Sequence, residues 1–570
     1  MLKTAVEKRL TTWITGGSLA ITLLVTDRVS NDPVNVGKML LLSVLAGACF
    51  SLTSAHYLAI WRIQKPLILG ILVFLVTSLV SVLVSKNPWE RGFFGAFGRN
   101  TGLLTYMSLS VIFLAVTLIR DIRNIRSIIT SLMVAGLANL VYCVAASFGI
   151  DIFKWKNPYN AILGTFGNPD FISAFLGIFV TALAGLLGST LISKLQKVFI
   201  SLLILLSFYV IKETLALQGF LVAAAGICIV VFLYIRSSSA KNWVLYLYSG
   251  FVLTGGLFTL LGTLQKGPLS SLLYKPSVTF RGEYWQAGMN MGADHLFTGI
   301  GMDSYGTYYR AFRAGSAAIY PGVNVVTDTA HNVFIDIFAG IGLLGFLSYL
   351  LIIALVLRTS FKIFKVQKSY DPIFVILFAS WFDYHLQSFI SINQIGLAIW
   401  GWVLGGAIIA YGNVANRQEQ STSLIPTIRD KKLRKSSKVS GKAIAVLSAS
   451  QALGLFAGLI IGFLIGLPPF LSDAKMRQAM ESNNPDRVIA QSNAWPKDVS
   501  RTNRAIVALA NGGLTERARE LSVQASLEFP EDYSTWFTLY ELSPDGSTQK
   551  ETFKIKLHEL DPYNPEFAPK

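Results

Sequence analysis

Long apolar runs separated by short polar joints fill most of the chain from residue 11 to residue 468. Runs of about 17 to 25 apolar residues cross a hydrocarbon core of about 30 Å as helices. Thirteen such runs recur, near 11–27, 39–61, 66–85, 102–119, 127–149, 170–192, 198–211, 217–235, 243–263, 332–357, 372–391, 394–412 and 443–468. The pattern predicts an all-α polytopic membrane protein of about 12–13 transmembrane helices. The joints are unequal. Residues 86–102, 150–170, 212–219 and the long 264–330 segment are richer in Gly, Asn, Pro and aromatics than ordinary turns, and long structured loops usually carry function.

After Pro469 the pattern changes to a soluble, helix-forming tail. Its turn signals Trp495-Pro496, Phe529-Pro530 and Asp561-Pro562 place prolines 34 and 32 residues apart. That period, with helices such as TERARELSVQASLEF, resembles a tetratricopeptide repeat array. The expected division is a membrane core over 1–415 containing the 264–330 loop, a basic linker over 416–442, a further span over 443–468 and a helical-repeat domain over 470–570.

Composition agrees with a membrane assignment: 52% hydrophobic residues, 14% charged and a mean hydropathy of +0.52. The net charge of +17 matters through its location. Lys8, Arg9, Arg62, Lys65, Arg120, Arg123, Arg126, Lys194, Lys197, Arg236, Lys241, Arg358, Lys362 and the run Arg429 to Lys442 gather on alternate connections. The positive-inside bias then places the N-terminus and the linker in the cytoplasm, and the 264–330 loop and tail outside a cytoplasmic (inner) membrane. The basic excess orients the chain, with anionic-lipid contact by 429–442 as a secondary role. No basic stripe with interleaved aromatics points to nucleic acid. Cys49, Cys143 and Cys228 fall inside spans as small apolar groups.

Candidate chemistry concentrates where the stretch TDTAHNVFIDIFAGIGLLGF, Thr327 to Phe346, turns from polar loop into apolar helix. Asp328 as N-cap puts His331 at the third helical position, where the partial positive charge keeps imidazole neutral and favours a bound diphosphate. Asn332 and Asp336 share a helix face and are placed to orient a neighbouring group. Gly340, Gly342 and Gly345 permit close approach of a second helix. Upstream, the loop carries Arg281, Asp294, His295, Asp303, Arg310 and Arg313; Arg91 and Arg99 lie in the first outer loop, and Lys212 ends the seventh span. Arginine suits bidentate contact with phosphate oxygens. Asp294, Asp303 and Asp328 lack the tight spacing of a metal site, so neither metal nor cofactor is expected. No P-loop, Gly-x-Ser-x-Gly or Cys-x-x-Cys occurs.

Several of these stretches together resemble the O-antigen ligase and polymerase superfamily. HNVFIDIFAGIGLLG resembles its loop-to-helix His-Asn element; FRGEYWQAG and DHLFTGIGMDSY its large-loop arginine-tryptophan element and Gly-x-Gly turn. GTFGNPDFISAFL and FGAFGRNTGLLTY, with the HLQSFISINQIGLAIWGWVLGG helices, complete the match over about 40–412. The resemblance implies a metal-independent, inverting transferase that moves a glycan from undecaprenyl diphosphate to an acceptor hydroxyl on lipid, glycan or protein. By position, Arg281 would grip the diphosphate and His331 act as base or orient the acceptor. Arg99 and Asn168 would shape the donor pocket, with Asn332, Arg310 and Arg313 contributing to substrate binding. Where such chains carry Ser-Arg-Gly, this one has Leu217-Gln218-Gly219, which assigns Gln218 to the pocket and Lys212 as the substitute charge; Leu296 replaces the proline of the turn. The repeat tail would dock an acceptor or protein partner. The rival reading is a transporter of a small solute such as bicarbonate, or of a lipid-linked glycan; polar residues within the spans are few for that role, namely Asp336, Asp383 and His385.

Overall fold

A computed structural model describes residues 4–57, 61, 64–155, 157–423 and 448–569, with side chains omitted for 416–423. The basic run 429–442 and Arg62 lie outside the described residues. Every regular element among those described is helical. In chain order the longer helices are α1 (Thr4–Leu23), α2 (Asn35–Thr53), α3 (Lys65–Val84), α4 (Trp89–Phe94), α5 (Leu103–Val116), α6 (Ile122–Ser147) and α7 (Pro169–Leu187). They continue as α8 (Lys194–Glu213), α9 (Gln218–Ser237), α10 (Asn242–Thr263), α11 (Pro276–Asp294), α12 (Tyr305–Phe312), α13 (Val333–Val366), α14 (Pro372–Ile390) and α15 (Ile395–Ser423). The tail holds α16 (Ala449–Glu481), α17 (Pro485–Ser492), α18 (Val499–Asn511), α19 (Thr515–Glu528), α20 (Tyr533–Glu541) and α21 (Thr548–Leu560).

Each of the thirteen apolar runs is a helix, and eleven are long and apolar enough to cross a membrane. The other two are α1, whose first turns carry Glu7, Lys8 and Arg9, and α5, which has 14 residues. Burial separates centre from rim. In α15, Leu397, Trp400, Val403 and Leu404 are wholly enclosed, whereas α10 buries only Gly262 and exposes Phe251 and Leu253. An apolar face of that kind suits lipid hydrocarbon.

Small residues bring the last span against the second. Gly454, Gly458, Gly462 and Gly466 recur every four residues, one face of α16. A Cβ at Gly458 would meet Ser51 Oγ and the Gly47 carbonyl; one at Gly462 would meet the Ser43 carbonyl and Val44 Cα. The close approach lets Ser43 Oγ donate to the Gly462 carbonyl at 2.8 Å.

The 332–357 run is not the uninterrupted helix expected from its hydropathy. α13 breaks at Gly342, where φ is +74°. A break at membrane depth strips backbone groups of intrahelical partners, and each must find another. The turn Leu296–Gly301 supplies them. Ile300 N donates to Ala339 O at 2.9 Å, Gly301 N to Gly340 O at 3.2 Å, and Leu343 N to Leu296 O at 2.8 Å. Ser81 Oγ of α3 also donates to Gly340 O at 2.6 Å. What approaches the Gly340–Gly342 segment is therefore chiefly a loop; a Cβ at Gly299 would collide with the Gly340 carbonyl group.

Beyond Pro469, α16 runs on into the tail, where its end and α17–α19 pack around Met476, Val488, Ile506, Leu509, Leu521 and Phe529. Polar contacts tie successive helical hairpins at a sequence separation of 31 residues, as in Arg517–Asp486, Asn493–Gln524 and Lys497–Glu528. The tail folds back on the bundle. Asp473 accepts from Asn31 N at 2.7 Å and Asp32 N at 2.9 Å, and the Arg504 guanidinium lies 4.0 Å from the Phe97 ring centroid.

The glycine stripe gives a controlled test. Gly462→Leu overpacks the α2–α16 contact and is expected to cost about 1–3 kcal/mol, lowering the thermal midpoint in detergent. Gly454→Leu, where nothing lies within 4 Å of the new Cβ, leaves the midpoint unchanged.

Candidate functional site

The polar turn ahead of α13 is assembled from short side chains. Asn332, not Asp328, is the N-cap: its Oδ1 accepts from Phe334 N at 3.0 Å and Ile335 N at 3.2 Å. Asp328 is engaged instead by Arg99, whose Nε donates to Oδ2 at 2.8 Å and whose Nη2 pairs with Oδ1. His331 therefore precedes the helix rather than occupying its first turn. It adopts φ +52°, a left-handed conformation unfavourable for an L-residue by roughly 1–2 kcal/mol. Three contacts hold it there. Its N–H donates to Thr329 Oγ1 at 3.1 Å, Asp336 Oδ1 accepts from Ala330 N at 2.7 Å, and its ring stacks on Tyr284 with centroids 5.7 Å apart.

Burial is the largest influence on the His331 imidazole, and the charges of Arg281 and Arg99 act in the same direction, so its pKa falls to about 4. The ring is neutral at pH 7, as expected, though burial and two guanidinium groups do what the helix dipole was expected to do. For Asp328, burial works against the carboxylate, but Arg99 more than offsets it and holds the pKa below the ordinary range.

Arg99 is positioned through Asp303. The Asp303 Oδ2 accepts from Ala96 N at 2.8 Å and Thr101 N at 3.3 Å, while its carbonyl accepts from Arg91 Nε at 3.3 Å. Burial raises the Asp303 pKa, and Arg99 opposes that rise. Arg99, Asp303, Tyr305, Thr329, Asp336 and Asn393 line a cleft open to solvent, about 540 Å³ with the solvent space at its mouth included. Arg99 Nη1 is buried there and has no hydrogen-bond partner. Arg281, on α11, faces Asp170 at 3.9 Å, too far for a hydrogen bond, so its guanidinium is only loosely engaged. A small aromatic core of Tyr284, Met291, Ile300, Tyr305 and Tyr309 seats α11 and α12 against α13. Full burial of such side chains contributes roughly 1.5–3 kcal/mol each.

Arg99, Arg281 and His331 are thus brought together from three distant segments. Asn168 is the N-cap of α7, its Oδ1 accepting from the N–H of Asp170, the carboxylate that Arg281 faces, at 2.8 Å. The remaining candidates are placed otherwise. Asn332 uses its carbonyl oxygen as a cap. Arg310 and Arg313 turn toward the tail, donating to Asp561 at 2.8 and 2.6 Å, and the Arg313 and Asp561 side chains are fully buried. Lys212 is largely exposed beside Glu213, which offers no reason to regard it as a pocket charge. Gln218 is buried, with both amide atoms unpartnered. Asp383 and His385 are enclosed within the bundle and do not line the Arg99 cleft.

Sequence reasoning missed two members. Asp303 was visible only as a scattered acid, yet it carries the hydrogen bonds that hold the Arg99 loop; its place directly after the Gly299-Ile300-Gly301-Met302 turn was the available signal. Asp170 stood within the quoted GTFGNPDFISAFL stretch without a role.

The molecule is a polytopic all-α membrane protein with a polar cleft lined by Arg99, Asp303 and Asp336, and with His331 and Arg281 close enough to Arg99 to share its field. Residues 200–350, which include α11, the docked turn, His331 and the break in α13, match the protein family described as O-Antigen ligase. The match supports the O-antigen ligase and polymerase superfamily and glycan transfer at the membrane in general. A comparison with curated proteins finds no match.

Two outcomes follow from this geometry. Titrated by NMR of the labelled imidazole in micelles, His331 remains neutral down to pH 5 and protonates near pH 4; a midpoint near 6.5 rejects the enclosed site. Because the unfolded chain binds this proton below about pH 6.5 while the folded chain does not until about 4, its contribution to stability falls as pH drops through that window. Asp561→Ala leaves the buried Arg313 and part-buried Arg310 guanidinium groups without their carboxylate and is expected to destabilise the tail–loop contact by about 3–5 kcal/mol, seen as earlier proteolytic release of the tail.

Proposed function

We propose that the chain transfers a glycan from an undecaprenyl-diphosphate carrier to an acceptor hydroxyl at the outer face of the cytoplasmic membrane. The observation that carries this reading is the unpartnered Arg99 Nη1 inside a cleft whose neighbouring His331 also senses Arg281. Two guanidinium groups around a buried, neutral base suit a reaction in which negative charge develops on a diphosphate leaving group.

In this reaction the acceptor oxygen attacks the anomeric carbon from the side opposite the carrier. The carbon–oxygen bond to the diphosphate breaks, and the bonding pair leaves with the diphosphate. The acceptor proton passes to His331, which is unprotonated at working pH and able to receive it. The configuration inverts. Arg281 and Arg99 receive the leaving-group charge, the role a metal ion fills in other transferases, so no added metal is required. The alternation of basic connections supports a cytoplasmic N-terminus, with the cleft and tail outside. The 31-residue spacing of hydrogen-bonded pairs supports a tetratricopeptide-like tail suited to docking an acceptor or protein partner.

Purified protein given an undecaprenyl-diphosphate glycan and an acceptor should release the diphosphate carrier in the presence of a chelator. Arg281→Ala and His331→Ala should each lower kcat by about 10²–10³-fold, the scale for removing one transition-state contact, with the thermal midpoint retained. The acid limb of kcat/KM should lie well below pH 6. Transfer at the wild-type rate in both variants rejects the assignment.

A further inference from the structure

A second cleft, open to solvent and about 420 Å³ with the solvent space at its mouth included, lies between the tail and the outer-loop segment around residues 94–100. That segment is a shared wall: Gly95, Phe97 and Asn100 face this cleft, while Arg99 and Thr101 face the one described above. Three cations, Lys497, Arg501 and Arg504, are matched by three acids, Glu90, Asp473 and Asp498. Most of these have internal work. Lys497 pairs with Glu528 at 2.6 Å, Asp498 caps α18 through Arg501 N at 2.8 Å, and Asp473 holds the Asn31 and Asp32 amides.

What remains unmet is specific. Asn100 Oδ1, Arg501 Nε and Arg504 Nη2 are buried and lack hydrogen-bond partners, although Asn100 is 5% and Arg501 3% exposed as residues. The acid nearest Arg504 Nη2, Asp473, is 3.7 Å away, beyond hydrogen-bond range. The cleft thus offers two free donors and one free acceptor beside the apolar surfaces of Phe94, Phe97, Pro469 and Pro496. An anion entering it would face three carboxylates, and a cation three basic groups. A sugar carries hydroxyls that both donate and accept, together with C–H faces that pack on aromatic rings.

We propose that this cleft binds an uncharged stretch of oligosaccharide belonging to the donor or the acceptor used in the neighbouring cleft. The inference rests on the transfer reading for the source of its ligand, but the binding chemistry stands on the cleft itself.

The test uses the full-length protein in nanodiscs. Its probe is oligosaccharide released by mild acid from the lipid-linked pool of cells that make the chain. Phe97→Ala and Arg504→Gln, both outside the transfer machinery, should each weaken binding at least tenfold by calorimetry, with the tail still docked through Asp561 and Asp473 as read by proteolysis. In transfer assays the same variants should raise KM about tenfold for one substrate while kcat holds. A rise in donor KM identifies a donor segment, and a rise in acceptor KM an acceptor segment. Unchanged binding in both variants overturns the proposal, as does competition by inorganic pyrophosphate that depends on Arg504. Arg504-dependent binding without transfer would reject only the transfer reading. Arg281-dependent transfer indifferent to Phe97 and Arg504 would reject only this site.

Discussion

A helix broken inside a membrane must have its backbone repaired locally, because hydrocarbon offers no hydrogen bonds. In α13 the break at Gly342 is repaired by the Leu296–Gly301 turn and by Ser81. This constraint fixes a 67-residue connection to the bundle at one point deep enough to be immovable without unpairing several backbone groups at once. Asp303 follows closely on that anchor, and α11 with Arg281 leads into it.

From the anchor, two short paths lead to the site. One passes through Asp303, which grips the amides of Ala96 and Thr101 and so sets the loop that carries Arg99. The other passes down α11 to Arg281 and Tyr284, the latter stacked on His331. His331 itself is held in a left-handed backbone conformation by Thr329, by Asp336 through the Ala330 amide and by Tyr284, a strained arrangement that persists because its surroundings over-determine it. Many polar groups here are spent on position, and Arg99 Nη1 is a donor left over among the cleft's lining residues.

The spans were legible because hydrocarbon thickness imposes length and apolarity on each of them separately, and a window along the chain reads both. Arg281, His331 and Arg99 were legible as residue types on one predicted side of the membrane. The cap was misassigned because Asp328 and Asn332 are equally good N-cap types; only the proximity of Arg99, 229 residues away, decides that Asp328 is otherwise engaged. The break in α13 was hidden for a related reason. Gly340, Gly342 and Gly345 read as a helix-packing face, and whether a helix or a loop fills such a face depends on a turn some forty residues upstream. Leu296 in place of proline costs the turn nothing in this respect, since the group it contributes is its carbonyl.

Arg310 and Arg313 show how charge alone misleads. As loop arginines on the same side as Arg281 they resembled part of one phosphate grip, yet Asp561, 251 and 248 residues further on, takes both. A fully buried carboxylate between two guanidinium groups is poor material for a binding site, because a ligand anion would have to displace it from an already desolvated position. It is good material for fixing orientation. The tail is held at Asp561 on the α12 side and at Asp473 and Arg504 on the α4 side, so it spans the loops that form the Arg99 cleft. A domain held at both edges of that cleft is more than a passive tether, because Arg504 packs on Phe97, on the wall whose other face carries Arg99.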